Sequence, residues 1–397
     1  MSNTILKAKI EGIVTSGAGL VKINGKSVFI EGGIPGETVV CRTVREHRSW
    51  AQAELLEILE ASSDRVRPVC DFYGICGGCS LQHLSYPAQL TAKTAILKDA
   101  FTHIGGFNPP EPTVSPSEPW EYRNRMQFHA IRRFDKRCPD AFCGLKARKS
   151  AGIIPISDCP VADPGIRGLL MGRGKEARAF FVSPGKDRVT VYARQGALLS
   201  EGGVTQGRMT ILGKELTLDA RVFFQSNGTM LEKLVSDLRE IVAGLSGPGG
   251  QLKIANLPMA DLYCGVGTFA IFLGELFPHV DMVEENKAAL ALARENLASL
   301  GSANFYAKRI EDWAKNAPLN GYGFAIVDPP RQGLAPGLVQ RLAGSGPQVL
   351  AYISCDPATL ARDSKTLLGA YELADLRWYD FYPQTAHVES LALFIRK

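Results

Sequence analysis

Residues 5 to 60 alternate apolar and polar positions in short runs, KAKIEGIV, GLVKI, KSVFIEG, ETVVCRTV and AQAELLEIL. A period of two belongs to strands with one covered face, and turn chemistry at Asn24-Gly25, Gly32-Gly33 and Pro35-Gly36 separates the runs. Several short strands at this spacing predict a small β-barrel. The stretch YPAQLTAKTAILKDAFTHIG then reads as a helix, and NPPEPTVSPSEP breaks the pattern. From Tyr122 to about Leu218 the chain is strand-like with Gly-rich turns, a second, mixed β region. From about Arg221 strands and helices alternate. The runs ADLY, HVDMVE, ANFYA, FAIVD and QVLAYIS are separated by helical stretches such as ENKAALALARENLASL, the pattern of a doubly wound parallel sheet. The ending differs, because ELADLRWYDFYP and SLALFIRK succeed one another with no helix between them. The expected class is α/β, with domains at 1–62, 63–220 and 221–397.

Composition places the chain among ordinary globular proteins: 397 residues, 45% hydrophobic and 21% charged. No apolar run approaches the roughly 18 to 20 residues of a membrane span, and MSNTILKAKIEG lacks the apolar core of a secretory signal. The expected compartment is cytoplasmic, with no membrane partner. The net charge of +5 is small, yet residues 121 to 150 hold nine Lys or Arg against three acids. Arg123, Arg125, Arg132, Arg133, Arg137, Lys146 and Arg148 make that segment a candidate surface for a polyanion. On the barrel, Arg42, Arg45, His47, Arg48 and Trp50 combine charge with an aromatic, which suits nucleic acid.

Nine cysteines in a reducing compartment are better candidates for metal binding or catalysis than for disulfides. Cys70, Cys76 and Cys79 share one tight loop that Gly77-Gly78 lets curl, and a four-thiolate site needs one more ligand. Cys159 in Ser157-Asp158-Cys159-Pro160 is the first choice, with Cys138 and Cys143 as competitors. Zinc is the alternative to iron and sulfur, although zinc sites more often use two Cys-x2-Cys pairs and one is present here. Cys41 and Cys264 read as structural.

Further along, ADLY runs directly into Cys264-Gly265-Val266-Gly267-Thr268, where glycines let a ligand approach the backbone at a helix start. The next strand ends in Glu284, placed to accept from two ribose hydroxyls. The missing third glycine, and a later strand ending in Asp328-Pro329-Pro330, favour S-adenosyl-L-methionine over a dinucleotide. Cys355 ends QVLAYIS and precedes Asp356-Pro357 and a helix, where the helix dipole should favour a thiolate nucleophile. Glu389 is the leading candidate for a base and His387 the runner-up.

Taken together, CDFYGICGGCSLQHLSYPAQL, RVFFQSN, DLYCGVGTF, VDPPRQG, SCDPATLARD and HVESLALF closely resemble the RNA 5-methyluridine methyltransferases, specifically the iron-sulfur branch that acts on 23S ribosomal RNA. The resemblance covers nearly the whole chain. It implies a class I (Rossmann-like) methyltransferase catalytic domain, an N-terminal OB-like TRAM barrel that binds RNA, and a central domain carrying a [4Fe-4S] cluster. In relatives the segment near 86–114 packs on the catalytic domain. By matching position, the resemblance implies Cys355 as nucleophile, Glu389 as base, and the cluster on Cys70, Cys76, Cys79 and Cys159. It points to Gln225, Tyr263, Glu284 and Asp328 for S-adenosyl-L-methionine, with Thr268 a weaker contact. Where the family often holds adenine with Asn or Asp, this chain has Arg309, and Asp312 is a substitute. The implied partner is RNA, 23S rRNA first and the T-loop uridine of tRNA second, met by a monomer. A reading of a different class is a non-catalytic RNA-binding assembly factor; Cys355, Glu389 and the glycine turn speak against it.

Overall fold

The computed structural model describes residues 4–131, 143–172, 180–181, 185–246, 252 and 254–397. Four of the candidate residues, Arg132, Arg133, Arg137 and Cys138, lie outside the described residues.

The N-terminal runs form β1 (Ile5–Lys9), β2 (Gly12–Ile13), β3 (Gly19–Ile23), β4 (Lys26–Glu31), β5 (Thr38–Glu46) and β6 (Trp50–Glu60) of one six-stranded sheet, ordered β1-β5-β6-β4-β3-β2. Alternate residues Val21, Val28, Ile30, Val39 and Cys41 form its core, which is why the period of two was visible. After β7 (Thr113–Ser115), the strands β8 (Arg125–Ala130), β9 (Cys143–Lys146), β10 (Ile153–Pro155), β11 (Arg188–Arg194) and β12 (Ala197–Ser200) make a five-stranded sheet. Its core of Phe128, Val191 and Phe181 is covered by Ile166 of the helix Pro164–Met171.

Next along the chain is a hairpin of β13 (Gln206–Ile211) and β14 (Lys214–Asp219). Met209, Ile211, Leu216 and Leu218 share a core with the helix Gly228–Ser246 and with Phe269 and Phe272, so the hairpin packs with the C-terminal part of the chain. The remaining strands are β15 (Met259–Leu262), β16 (Val280–Val283), β17 (Ala303–Tyr306), β18 (Phe324–Val327), β19 (Val349–Ser354), β20 (Tyr371–Tyr379) and β21 (Glu389–Arg396). With β7 they build an eight-stranded sheet, ordered β17-β16-β15-β18-β19-β21-β20-β7. Every residue of β15, β16, β18 and β19 is buried, as expected of parallel strands covered on both faces.

The strand β7 comes from the proline-rich stretch that the sequence marks as a break. Pro112 and Pro116 flank it, and prolines next to a strand confine it to a sheet edge, where it pairs parallel to Arg377–Tyr379. The helix Tyr86–Ala100 packs on the same sheet: Ile96, Leu97 and Phe101 join a core with Leu360, Leu367, Trp378 and Phe394. Lys93 of that helix is fully buried and donates to Asp380 at 2.6 Å and to the Tyr382 carbonyl at 2.9 Å.

Candidate active site

Sheet register brings the candidate residues to one edge. Leu262 of β15 is level with Val283 of β16 and with Val327 of β18, so Tyr263, Glu284 and Asp328 each leave their strand at the same height. On the far side Ser354 of β19 pairs antiparallel with Ser390 of β21, so Cys355 and Glu389 leave adjacent strands together. All five line one cavity of about 680 Å³, with Gln225, Thr268, Pro329, Arg331, Tyr382 and His387 among its other walls.

The glycine turn shapes one end of that cavity. Gly265 and Gly267 have φ of +54° and +85°, and a Cβ on Gly267 would stand 2.7 Å from Leu297. Tyr263 also sits in the left-handed region, at φ +62°, strain of the kind that collects at ligand sites. The Glu284 carboxylate is aimed by the amides of Gly265, at 3.2 Å, and Asn286, at 2.8 Å. Arg309 and Asp312 are exposed, and Asp312 pairs with Lys315 at 2.7 Å; neither is among the cavity walls.

The reacting end is a cluster of acids in a dry place. Glu389 is 4% exposed, and its pKa is held well above the usual carboxylate range by burial first and then by the charge of Asp328, with Arg331 opposing. Burial likewise raises Asp328. The Cys355 thiol is pushed up to about 12 by burial, Glu389 and Asp328. This reverses the sequence expectation of a dipole-favoured thiolate. The amides of Ala358 and Thr359 donate instead to Asp356, at 2.9 and 3.1 Å, and that carboxylate occupies the helix end one residue beyond Cys355. His387 opens onto the cavity, but the surrounding protein and the cations Arg331, Lys93 and Arg123 bring its pKa down to about 4, which keeps it neutral.

Two residues escaped the sequence reading. Tyr382 stands edge-on to His387 and under the Arg123 guanidinium, and its pKa rises to about 12 through burial and the charge of Glu389. Its loop position gave no periodic signal. Asp261, inside the apolar run ADLY, is fully buried, accepts from the Ala270 amide at 3.2 Å, and is pushed up to about 8 by burial, Asp328 and Glu284. An acid in a run of hydrophobic residues was its available signal.

A second cavity, of about 430 Å³, is lined by Cys70, Cys76, Cys79 and Cys159. Cys143 is buried in the core of the five-stranded sheet and is not among its walls. Burial raises all four thiols, Cys79 to about 11 and Cys159 to about 12, and their mutual charge adds to the shift of Cys70, Cys79 and Cys159. Among the described residues no three His, Cys, Asp or Glu are grouped as a metal ion requires. Arg123, Gly77 and Gly78 line both cavities and form the wall between them.

The basic residues divide by partner. Arg148 reaches Glu31 of β4 at 3.0 Å and joins the first sheet to the second, so it is not a free phosphate donor. Lys146 and Arg188 line the cysteine cavity. Arg125 lies 5.3 Å from the ring of Phe223, which is 61% exposed at the wall of the larger cavity. On the N-terminal sheet Arg42 pairs with Glu54, while His47 stacks on Trp50 at 4.1 Å and Arg45 lies over the same indole.

Comparison with known proteins agrees with this geometry. A family model described as tRNA (Uracil-5-)-methyltransferase matches residues 207–397. The chain is 31% identical over 443 residues to the 23S rRNA (uracil(1939)-C(5))-methyltransferase RlmD of Acidithiobacillus ferrooxidans, covering 98% of this chain and 96% of that one. It is also 31% identical to an uncharacterized RNA methyltransferase of Treponema denticola, over 94% of each chain. The crystal structure of Pyrococcus abyssi tRNA (uracil-54, C5)-methyltransferase in complex with S-adenosyl-L-homocysteine aligns with a TM-score of 0.74 and 25% identity, over 98% of this chain and 100% of that one. The eight-stranded sheet is thus that of the class I methyltransferases, and among the described residues no helix is long and apolar enough to cross a membrane. The chain belongs to the RNA uracil-C5 methyltransferase family and is an S-adenosyl-L-methionine-dependent RNA methyltransferase.

Proposed function

We propose that this enzyme methylates C5 of a uridine in 23S ribosomal RNA through a covalent bond between Cys355 Sγ and C6 of the base. The observation that carries the reading is the meeting of the Cys355 thiol with buried Glu389, half-buried Asp328, the glycine turn and Glu284 in a single cavity. C5 of uracil is a weak nucleophile. Addition of the Cys355 thiolate to C6 moves electron density to C5, which attacks the methyl carbon of S-adenosyl-L-methionine as its S–CH3 bond breaks and S-adenosyl-L-homocysteine leaves. Glu389 removes the C5 proton, and the C6–S bond breaks to return Cys355. Glu284 suits the ribose hydroxyls, while Gln225, Tyr263, Asp328 and, more weakly, Thr268 hold the rest of the methyl donor. Burial raises the pKa values of Cys355, Glu389 and Asp328, and a sulfonium beside them would favour their charged forms.

The target base must leave its stack before Cys355 can reach it, at a cost of roughly a few kcal/mol. Exposed Phe223 with Arg125 at the cavity wall, and the His47, Trp50 and Arg45 group on the N-terminal sheet, supply stacking and phosphate contacts that offset this cost. We read that sheet as a TRAM barrel, and the chain as 1–62, 63–220 and 221–397, with the 86–114 segment and the hairpin 206–219 docked on the last.

We assign Cys70, Cys76, Cys79 and Cys159 to a [4Fe-4S] cluster. The assignment rests on all four cysteines lining one cavity, where burial and mutual charge oppose four separate thiolates and the Arg123 cation stands beside three of them, although their sulfurs are not drawn together at ligand spacing in this structure. Bound there, a cluster staples the loop to the five-stranded sheet, and methyl transfer asks no redox work of it.

Relatives named for 23S rRNA across nearly the full length favour that substrate. The second reading, the T-loop uridine of tRNA, is favoured by the likeness to the Pyrococcus abyssi enzyme. Incubation with labelled S-adenosyl-L-methionine and either 23S rRNA or unmodified tRNA, with mapping of 5-methyluridine afterwards, separates them. We expect product on 23S rRNA. Product on tRNA alone selects the second reading, and product on neither overturns the proposal in favour of a non-catalytic assembly factor.

A further inference from the structure

Gln384 joins the end of the cysteine loop to the segment that carries Glu389. It is 3% exposed, and its φ of +67° places a residue other than glycine in the left-handed region. Such a backbone persists where its surroundings over-determine it, and here they do. The Gln384 carbonyl accepts from the amides of Ser80 and Leu81, both at 2.9 Å, the two residues that come directly after Cys79. A second tie runs the same way, from the Ala386 amide to Ser80 Oγ at 3.1 Å. On the other side, Gln89 of the helix Tyr86–Ala100 clasps the residue twice: its Nε2 donates to Gln384 Oε1 at 3.0 Å, and its Oε1 accepts from the Gln384 amide at 2.9 Å. The same Nε2 reaches the carbonyls of Leu81, at 3.1 Å, and Leu84, at 2.9 Å. One glutamine pair therefore locks the cysteine loop, the helix and the turn into one piece, and the chain runs from that turn past His387 into Glu389 at the start of β21.

We propose that Gln384 is a positioning residue for proton removal: it transmits the seating of the cysteine loop to Glu389, and Gln89 is its partner in doing so. The proposal rests on Glu389 being the base. Cys355 follows β19, which is held on both sides by β18 and β21, whereas Glu389 is the first residue of β21, entered directly from the Gln384 turn, so loss of the clasp bears on Glu389 before Cys355. The two halves of the reaction should therefore separate. Methyl transfer into the covalent enzyme–RNA complex continues while loss of the C5 proton slows.

The test is single turnover with the full-length protein and its RNA substrate carrying tritium at C5. Two signals are tracked, labelled methyl in an enzyme–RNA complex that survives denaturation, and tritium released to water. Gln384→Gly keeps the carbonyl that holds Ser80 and Leu81, tolerates the positive φ, and removes the side chain; Gln89→Ala removes the partner. Both variants should form the methylated complex at the wild-type rate and release tritium about 10²-fold more slowly, the size of effect expected when a group is misplaced by about an ångström. Glu389→Gln is the reference. If it accumulates the complex and the glutamine variants do not, the role of Gln384 is overturned and the base stands. If Glu389→Gln accumulates none, both fall. Should Gln384→Gly fail to fold, Gln89→Ala carries the same comparison.

Discussion

Cys355 and Glu389 emerge side by side from antiparallel neighbours, because Ser354 pairs with Ser390 and each is the next residue towards the cavity. In the proposed reaction that register sets the two residues to act on adjacent atoms of one ring, Cys355 at C6 and Glu389 at the C5 proton. RNA containing 5-fluorouridine tests the pair, since fluorine at C5 cannot leave as a proton. Wild-type enzyme should accumulate a complex that resists denaturation, and Cys355→Ala should form none. Removing a nucleophile of this kind lowers turnover by roughly 10⁴-fold or more, while the turn around Gly265 and Glu284 should still bind the methyl donor. A stable complex with Cys355→Ala would assign the bond to another residue.

The thiol in the resting cavity is neutral at physiological pH, with its pKa pushed up to about 12. A cation beside Asp328 and Cys355 favours the charged form, so the methyl donor should activate the nucleophile that it later serves. S-adenosyl-L-homocysteine has the same shape without the sulfonium charge. Alkylation of Cys355, read by mass mapping of its peptide, should rise with pH in the free enzyme. At a fixed neutral pH it should run about tenfold faster with S-adenosyl-L-methionine than with S-adenosyl-L-homocysteine, one pKa unit being a factor of ten. Equal rates would show that the sulfonium does not act on the thiol.

Much of this was legible because the sheet edge turns sequence into geometry. Runs that are buried along their whole length announce parallel strands, and the residue after each one must lie at the same edge; Tyr263, Glu284, Asp328 and Cys355 all obey. The misses lie where no period exists. The strand Thr113–Ser115 is too short and too rich in flanking proline to read as one, and it is held by Arg377–Tyr379, far along the chain. Tyr382 and Gln384 sit in a loop whose order comes from Lys93, Gln89 and Ser80. The state of the Cys355 thiol was misjudged because the helix end looked free, whereas Asp356 occupies it.

The cysteine cavity makes a distinction that spacing left open. Cys159 faces it with Cys70, Cys76 and Cys79, whereas Cys143 belongs to the sheet core. On the proposed cluster assignment, serine at position 70, 76, 79 or 159 should strip iron and sulfide from protein purified without oxygen, and Cys143→Ser should keep them. The melting temperature should track the iron, since losing a structural metal is among the few single changes that exceed about 4 kcal/mol. Retained iron in Cys159→Ser would move the fourth ligand elsewhere.

Buried Glu389 should also set the pH dependence of stability. Glu389 has a folded pKa raised above its unfolded value, by burial first and by Asp328 second. The folded state therefore binds the proton more tightly, and whatever stability this contributes is complete below the unfolded pKa of roughly 4.3 and declines as pH rises through the folded value. Glutamine has nearly the same shape and never ionises. Glu389→Gln should thus match the wild type near pH 4 and exceed it increasingly from there to pH 8, by about 1 kcal/mol or more, while turnover is lost. Denaturant unfolding at a series of pH values, with the methyl donor absent, measures the difference. A gap that is constant across the range would mean that Glu389 is already charged in the resting cavity and needs no cation to become the base.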